Sequence, residues 1–160
     1  IVTYLGQISQ KALTEEQTRV LVNLMAAAND LENIGDIIET DMVYLGNEGI
    51  DAKVTVSEET QEILHKLHDI VSITAELAID AVIENDLRAA QEVIDMKGDI
   101  SRLMESAAMH ETKRLVAEEP NRLAAYTMEM DLIEKLKRIY YFAKRMVKTV
   151  VPEEESEEAA

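Results

Sequence analysis

The stretch NDLENIGDIIETD, residues 29–41, sets five carboxylates, Asp30, Glu32, Asp36, Glu39 and Asp41, into an apolar frame. Leu31, Ile38, Met42 and Leu45 recur at seven-, four- and three-residue steps, which is the period of a helix and not of a strand. Upstream, Val20, Leu21, Leu24, Met25 and Ala28 continue the same stripe, and Thr14 with Gln17 forms a capping box that starts it. The spacing predicts a helix over about 15–46, stopped by Gly46 and Gly49 in LGNEGI. At roughly 100° per residue, with Leu24 at the middle of the stripe, Glu32 lies at roughly 80°, Asp36 at roughly 120° and Glu39 at roughly 60°. These three therefore form one ridge along the stripe's edge, whereas Asp30 and Asp41 are expected to point away toward solvent.

The same period continues on both sides. Residues 1–12 carry Ile1, Tyr4, Leu5 and Ile8 at helical spacing, and Ile1 and Val2 are already in phase without a cap, as expected of a sequence that begins inside a helix. Ser57, followed by Glu58 and Glu59, caps a helix predicted to run to about 84 on the stripe Ile63, Leu64, Leu67, Ile70, Val71, Ala78, Ala81 and Val82. Asp86 caps a fourth, predicted to about 117, with Val93, Met96, Ile100, Leu103, Met104 and Ala107 inward. Pro120 suits the first position of a fifth, to about 151, on Leu132, Ile133, Leu136, Ile139, Tyr140, Ala143 and Val147. Two prolines, five glycines and 4% aromatics fit helices and starve strands. The eight methionines fall mostly on stripe positions, where a flexible thioether fills gaps. Long helices with short connections bury their stripes most simply as an antiparallel bundle, so the fold class is all-α. Residues 152–160, rich in Glu and without apolar period, are expected to be a disordered acidic tail.

Bulk charge narrows the partners. Thirty-two acids against 16 bases leave a formal charge of -16, which repels phosphate backbones and anionic lipid, so nucleic-acid binding is not expected and basic surfaces or cations are. No apolar run reaches the roughly 18 residues that span a bilayer, so direct membrane insertion is not expected. The absence of cysteine excludes disulfides and thiolate metal sites. No nucleophile elbow, P-loop, dinucleotide fingerprint or paired Glu-x-x-His motif is present, so no enzymatic activity is expected.

Two acidic constellations bear on chemistry. Glu32 and Asp36 sit one turn apart, and Glu92, Asp95 and Asp99 repeat the arrangement beside the fourth stripe. Like charges so placed cost a few tenths of a kcal/mol per pair. A cation held by carboxylate oxygens, or a Lys or Arg from a neighbouring helix, relieves that cost. If the two helices approach, Glu32, Asp36, Asp95 and Asp99 become a candidate metal set; the bland alternative for the second group is a solvated flank paired with Lys97 and Arg102. His65 and His68 face mostly outward and lack the HExxH spacing, and His110 sits at a stripe edge as a packing residue.

With these residues in view, NDLENIGDIIE closely resembles the signature helix of PhoU domains, whose Leu-Glu-Arg-Ile-Gly-Asp-like core carries an acid-x-x-x-Asp metal motif; the match runs from Leu31 through Asp36. The preceding YLGQISQKALTEEQ, residues 4–17, is similar to the carboxy-terminal cytosolic PhoU domain of bacterial sodium/phosphate cotransporters. The resemblance implies a PhoU-like domain over 1–151, built of two three-helix repeats with the first truncated at its N-terminus: 1–48 is its remainder and 57–151 the second. Placing DLIEKLKRI against NDLENIGDI sets Glu134 opposite Glu32 and Arg138 opposite Asp36. A guanidinium cannot ligate a cation, so the second site of the family is expected to be degenerate here. By the resemblance, Glu32 and Asp36, with Asp95 and Asp99 on the preceding family helix, are the ligand candidates for a divalent or ferric ion. The implied function is a non-enzymatic regulatory or accessory domain of phosphate transport, cytoplasmic, at the inner face of the cell membrane through an attached transporter domain. Its implied partner is that transporter domain or another phosphate-signalling protein, and a homo-oligomer is also compatible. The alternative is a metal-free interaction module that docks on a transporter or sensor kinase.

Overall fold

A computed structural model describes residues 2–10, 12–116 and 121–151. Pro120, Pro152 and the acidic tail predicted above lie outside these. The described residues form helices without a strand: α1 (Val2–Ile8), α2 (Glu15–Asp36), a π-helical segment (Ile37–Met42), α3 (Val43–Asp51), α4 (Glu58–Glu84), α5 (Leu87–Asp95), α6 (Lys97–Arg114) and α7 (Arg122–Val147). The all-helical bundle expected from periodicity is what forms.

The capping box at Thr14 is present in both directions: Gln17 N donates to Thr14 Oγ1 at 3.2 Å and Thr14 N donates to Gln17 Oε1 at 3.0 Å. From there α2, the π segment and α3 make one continuous rod over 15–51. The glycines of LGNEGI do not stop it. Gly46 and Gly49 both lie within α3, and Gly49 is buried where the rod meets α7: a β-carbon there would fall 2.5 Å from Met128 Sδ. The stop comes later, at Lys53, whose φ of 51° is left-handed. Lys53 N donates to Ile50 O at 3.0 Å and Val54 N to Gly49 O at 2.9 Å, the paired bonds of a Schellman ending with lysine where glycine is usual.

The remaining boundaries follow their caps. Ser57 Oγ accepts from Thr60 N, and Asp86 Oδ1 accepts from Arg88 N and Ala89 N. The predicted fourth helix is broken at Met96 into α5 and α6, although its inward residues Val93, Ile100, Met104 and Ala107 are buried as expected. The fifth ends at Val147, four residues earlier than predicted, in turns that bond Thr149 N to Met146 O.

Helix α7 is the hub. It packs on α4, on α5 and α6, and along the whole α2–α3 rod, while α4 also packs on α5 and α6. Asn23 Nδ2 donates to Thr149 O and Asn121 Nδ2 to Ala52 O, so the rod runs antiparallel to α7. Tyr140 with Val93 and Arg122 with Glu111 set α5–α6 antiparallel to α7 as well, and α4 crosses α6 through Thr60 and His110. Leu67, Val71, Val93, Ile100, Leu136 and Val147 are fully enclosed at the centre, each worth about 1.5–3 kcal/mol of burial. Among the described residues no helix is long and apolar enough to cross a membrane.

Candidate functional site

The rod places its acids differently from the projection. Ala27, Asp30, Ile34 and Ile37 are buried toward α7, while Leu21 is buried beside Leu5 and Ile8 of α1. The predicted centre, Leu24, is 39% exposed, and Val20, Met25 and Ile38 are exposed as well. The expected seam is thus turned by roughly 110° from the real one. The reason is that α2 meets α7 along most of its length and α1 only over its first half, so it buries chiefly the strip that meets α7.

This rotation corrects two expectations. Asp30 does not point to solvent: it is 2% exposed, with Arg145 Nη2 at 3.1 Å from Oδ1, an approach too oblique to make a hydrogen bond. Burial raises the Asp30 carboxyl above its ordinary value and the Arg145 charge offsets part of that. Asp41 is half-buried and meets Lys135 Nζ at 3.0 Å and Arg138 Nη1 at 3.4 Å. Basic residues of α7 thus neutralise the acids facing them.

Glu32, Asp36 and Glu39, by contrast, are exposed on the outer shoulder of the rod. No ion pair to any of them occurs among the described residues. Asp95 closes α5 and accepts from Gln91 Nε2 at 2.8 Å, and Asp99 in the first turn of α6 pairs with Arg102; both are exposed. Helix α7 lies between the rod and α5–α6, so the structure does not bring Asp95 and Asp99 to Glu32 and Asp36. Among the described residues no three His, Asp or Glu side chains converge as a cation cage.

The densest polar cluster is one the sequence reading passed over. Arg122 Nη2 donates to Glu111 Oε2 at 2.8 Å and to Glu129 Oε2 at 2.7 Å, and all three residues are buried, Glu111 at 1% and Glu129 at 0% exposure. His110 Nε2 lies 3.1 Å from Thr60 Oγ1, which also accepts from Arg114 at 2.7 Å. The cluster ties the start of α4, the end of α6 and the start of α7. Two carboxylates and one guanidinium cannot all be charged and neutral overall, and an uncompensated buried charge is costly. Burial and the neighbouring Glu111 carboxylate accordingly push Glu129 up to about 7, against the opposing pull of Arg122. Burial would raise Glu111 too, but hydrogen bonds from Glu129, Arg122 and Thr60 outweigh it and hold Glu111 low. A signal was available: Ile100, Met104, Ala107 and Glu111 step by four, three and four, and Ala125, Glu129 and Ile133 by fours, so both acids stand in core register.

His68 is exposed beside Asp69, and His110 is half-buried as expected of a packing residue. What the arrangement offers to a partner is therefore an unneutralised acidic shoulder beside an uncovered apolar strip, on a helix held in place by α7. No family model, curated protein or solved structure matches the chain, so its function is to be read from these residues.

Proposed function

We propose that the chain is a non-enzymatic regulatory docking domain of the PhoU-like kind, serving phosphate transport from the cytoplasmic side through a transporter or phosphate-signalling partner. The observation that carries the docking reading is the exposed, unpaired run Glu32, Asp36 and Glu39, while the acids turned toward α7 have found basic partners. An acidic shoulder left unneutralised attracts basic surfaces and speeds their approach. The two-repeat reading is supported by matched environments. In the alignment of 29–37 with 131–139, Ile34 and Leu136 are both buried, Ile37 and Ile139 are both buried, and Glu32 and Glu134 are both exposed. Helices α4, α5–α6 and α7 each pack on the other two, as a three-helix repeat requires.

The test is association of the chain with vesicles carrying the membrane domain of a bacterial sodium/phosphate cotransporter, at low and high salt, with and without a chelator. The docking reading expects binding that weakens with salt, because exposed charges are screened within about 8 Å at physiological ionic strength, and that ignores the chelator. Binding lost on chelation, and restored by a divalent or ferric ion in the native chain but not in Glu32→Ala/Asp36→Ala, would carry the metal-regulated form instead. Absence of binding under every condition would refute the transporter assignment.

A further inference from the structure

The buried cluster of Glu111, Arg122 and Glu129 holds the helix whose start is weakest. Helix α4 begins on the Ser57 cap, and Arg114 at the end of α6 donates to Ser57 Oγ at 2.5 Å and to Thr60 Oγ1 at 2.7 Å, so those two ends are fastened to each other through hydroxyl acceptors. Helix α7 begins without a side-chain cap. Asn121 stands at a left-handed φ of 59°, and its side chain donates outward to Ala52 O at the end of the rod. An uncapped first turn leaves backbone amides without partners and frays easily. What ties this turn to its neighbours is Arg122, the first residue of α7, whose Nη2 reaches both Glu111 on α6 and Glu129 two turns along α7. Arg122 Nε is buried and has no hydrogen-bond partner among the described residues, so the guanidinium is held through its two Nη atoms by these acids.

Charge decides whether that hold lasts. With one acid protonated, the three side chains are neutral together; with both ionised, a buried negative charge remains that one guanidinium does not cancel. The surrounding groups are already engaged elsewhere. On α6, His110 lies 3.9 Å from Glu111 Oε1 and 3.8 Å from Glu59 Oε1 of α4, and Arg114 is directed at the hydroxyls of α4. From the rod, Glu48 and Asp51 line a depression with Thr127 and Asp131 on another side of α7. Glu129, which burial and the Glu111 carboxylate push up to about 7, is the group that changes state.

We propose that Glu111, Arg122 and Glu129 form a proton-operated latch: with a proton on the pair of acids the start of α7 is fastened to α6, and when that proton leaves to solvent the first two turns of α7 open to water while the rest of the bundle stays folded. Asn121 and Met128 ride on the same segment, and they also brace the end of the rod, at Ala52 O and over Gly49. Unlatching therefore frees the end of α3 as well. The device is independent of which partner docks on the chain.

The test is amide hydrogen exchange of the full chain, followed by nuclear magnetic resonance from about pH 5 to about pH 8, with each rate divided by its intrinsic value to leave the opening equilibrium. The amides of Ala125 to Glu129 are expected to be less protected than those of Ala143 to Val147 in the same helix. Their protection is expected to fall about tenfold per pH unit until about 7 and to level off above it, with the amides of α3 falling in step. Glu129→Gln is expected to abolish the fall, and Glu111→Gln, which leaves one carboxylate to one guanidinium, to reduce it; His110→Gln is expected to leave it unchanged. If Ala125 to Glu129 are as protected as Ala143 to Val147 at every pH, the latch is overturned, because the acids then part only in global unfolding. A fall that persists in Glu129→Gln, or that His110→Gln removes, overturns it as well, and a fall confined to α7 overturns the coupling to the rod. Should Glu129→Gln fail to fold, an undiminished fall in Glu111→Gln has the same force.

Discussion

Replacing Glu129 by Gln isolates the proton held between the two buried glutamates. In the native fold Glu129 keeps its proton up to about pH 7, against 4.5 for an ordinary glutamate. Below 4.5 both folded and unfolded chains are protonated there, and the contribution is fully present. Between 4.5 and about 7 the unfolded chain has released the proton and the native chain has not, so stability falls as pH rises and levels off above 7. At about 1.4 kcal/mol per pH unit, the fall across that window is roughly 3 kcal/mol, an appreciable share of the 5–15 kcal/mol typical of a domain. The low value of Glu111 acts below 4.5 and does not overlap. The amide introduced by Glu129→Gln keeps an oxygen for Arg122 and cannot ionise, so this variant is expected to lose the slope. Urea unfolding followed by circular dichroism, at half-unit steps from pH 4.5 to 8 on both proteins, measures it, and other titrating groups cancel in the difference. Parallel stability curves for the two proteins would refute the assignment of the proton to this buried pair.

Four other changes test the packing. Arg145→Met strands the buried Asp30 carboxylate, whose proton affinity burial already raises, and is expected to cost about 1–2 kcal/mol at pH 7 and less as the pH is lowered and the acid takes up its proton; a loss independent of pH would point to the Arg145 stack on Tyr141 and Phe142 instead. Leu67→Ala, at a fully enclosed position, is expected to cost about 2–5 kcal/mol in denaturant unfolding. Lys53→Gly relieves a left-handed residue at the end of α3 and is expected to stabilise by roughly 1 kcal/mol, read as a higher urea midpoint. Glu32→Ala/Asp36→Ala is expected to leave stability within about 0.5 kcal/mol, since both side chains are exposed and unpaired; a larger loss would show a structural partner for the ridge.

Periodicity and caps alone made the helices legible. Thr14, Ser57 and Asp86 announced starts that the structure keeps, because a side-chain oxygen bonding a backbone amide two or three residues on is a local event. The core faces of α4, α5–α6 and α7 were equally readable, since each of these helices meets several neighbours and buries a broad stripe. What tertiary structure decided is which side of a helix has a neighbour. On the rod two apolar strips compete, and only contact with α7 selects the one through Ala27, Ile34 and Ile37, which buries Asp30 and leaves Leu24 and Ile38 exposed. The same is true of Glu111 and Glu129: local sequence sets their register, but only the arrival of Arg122 from the start of α7 supplies the charge that makes burying two carboxylates tolerable. Periodicity is a property of one helix, whereas burial and pairing are properties of two or more.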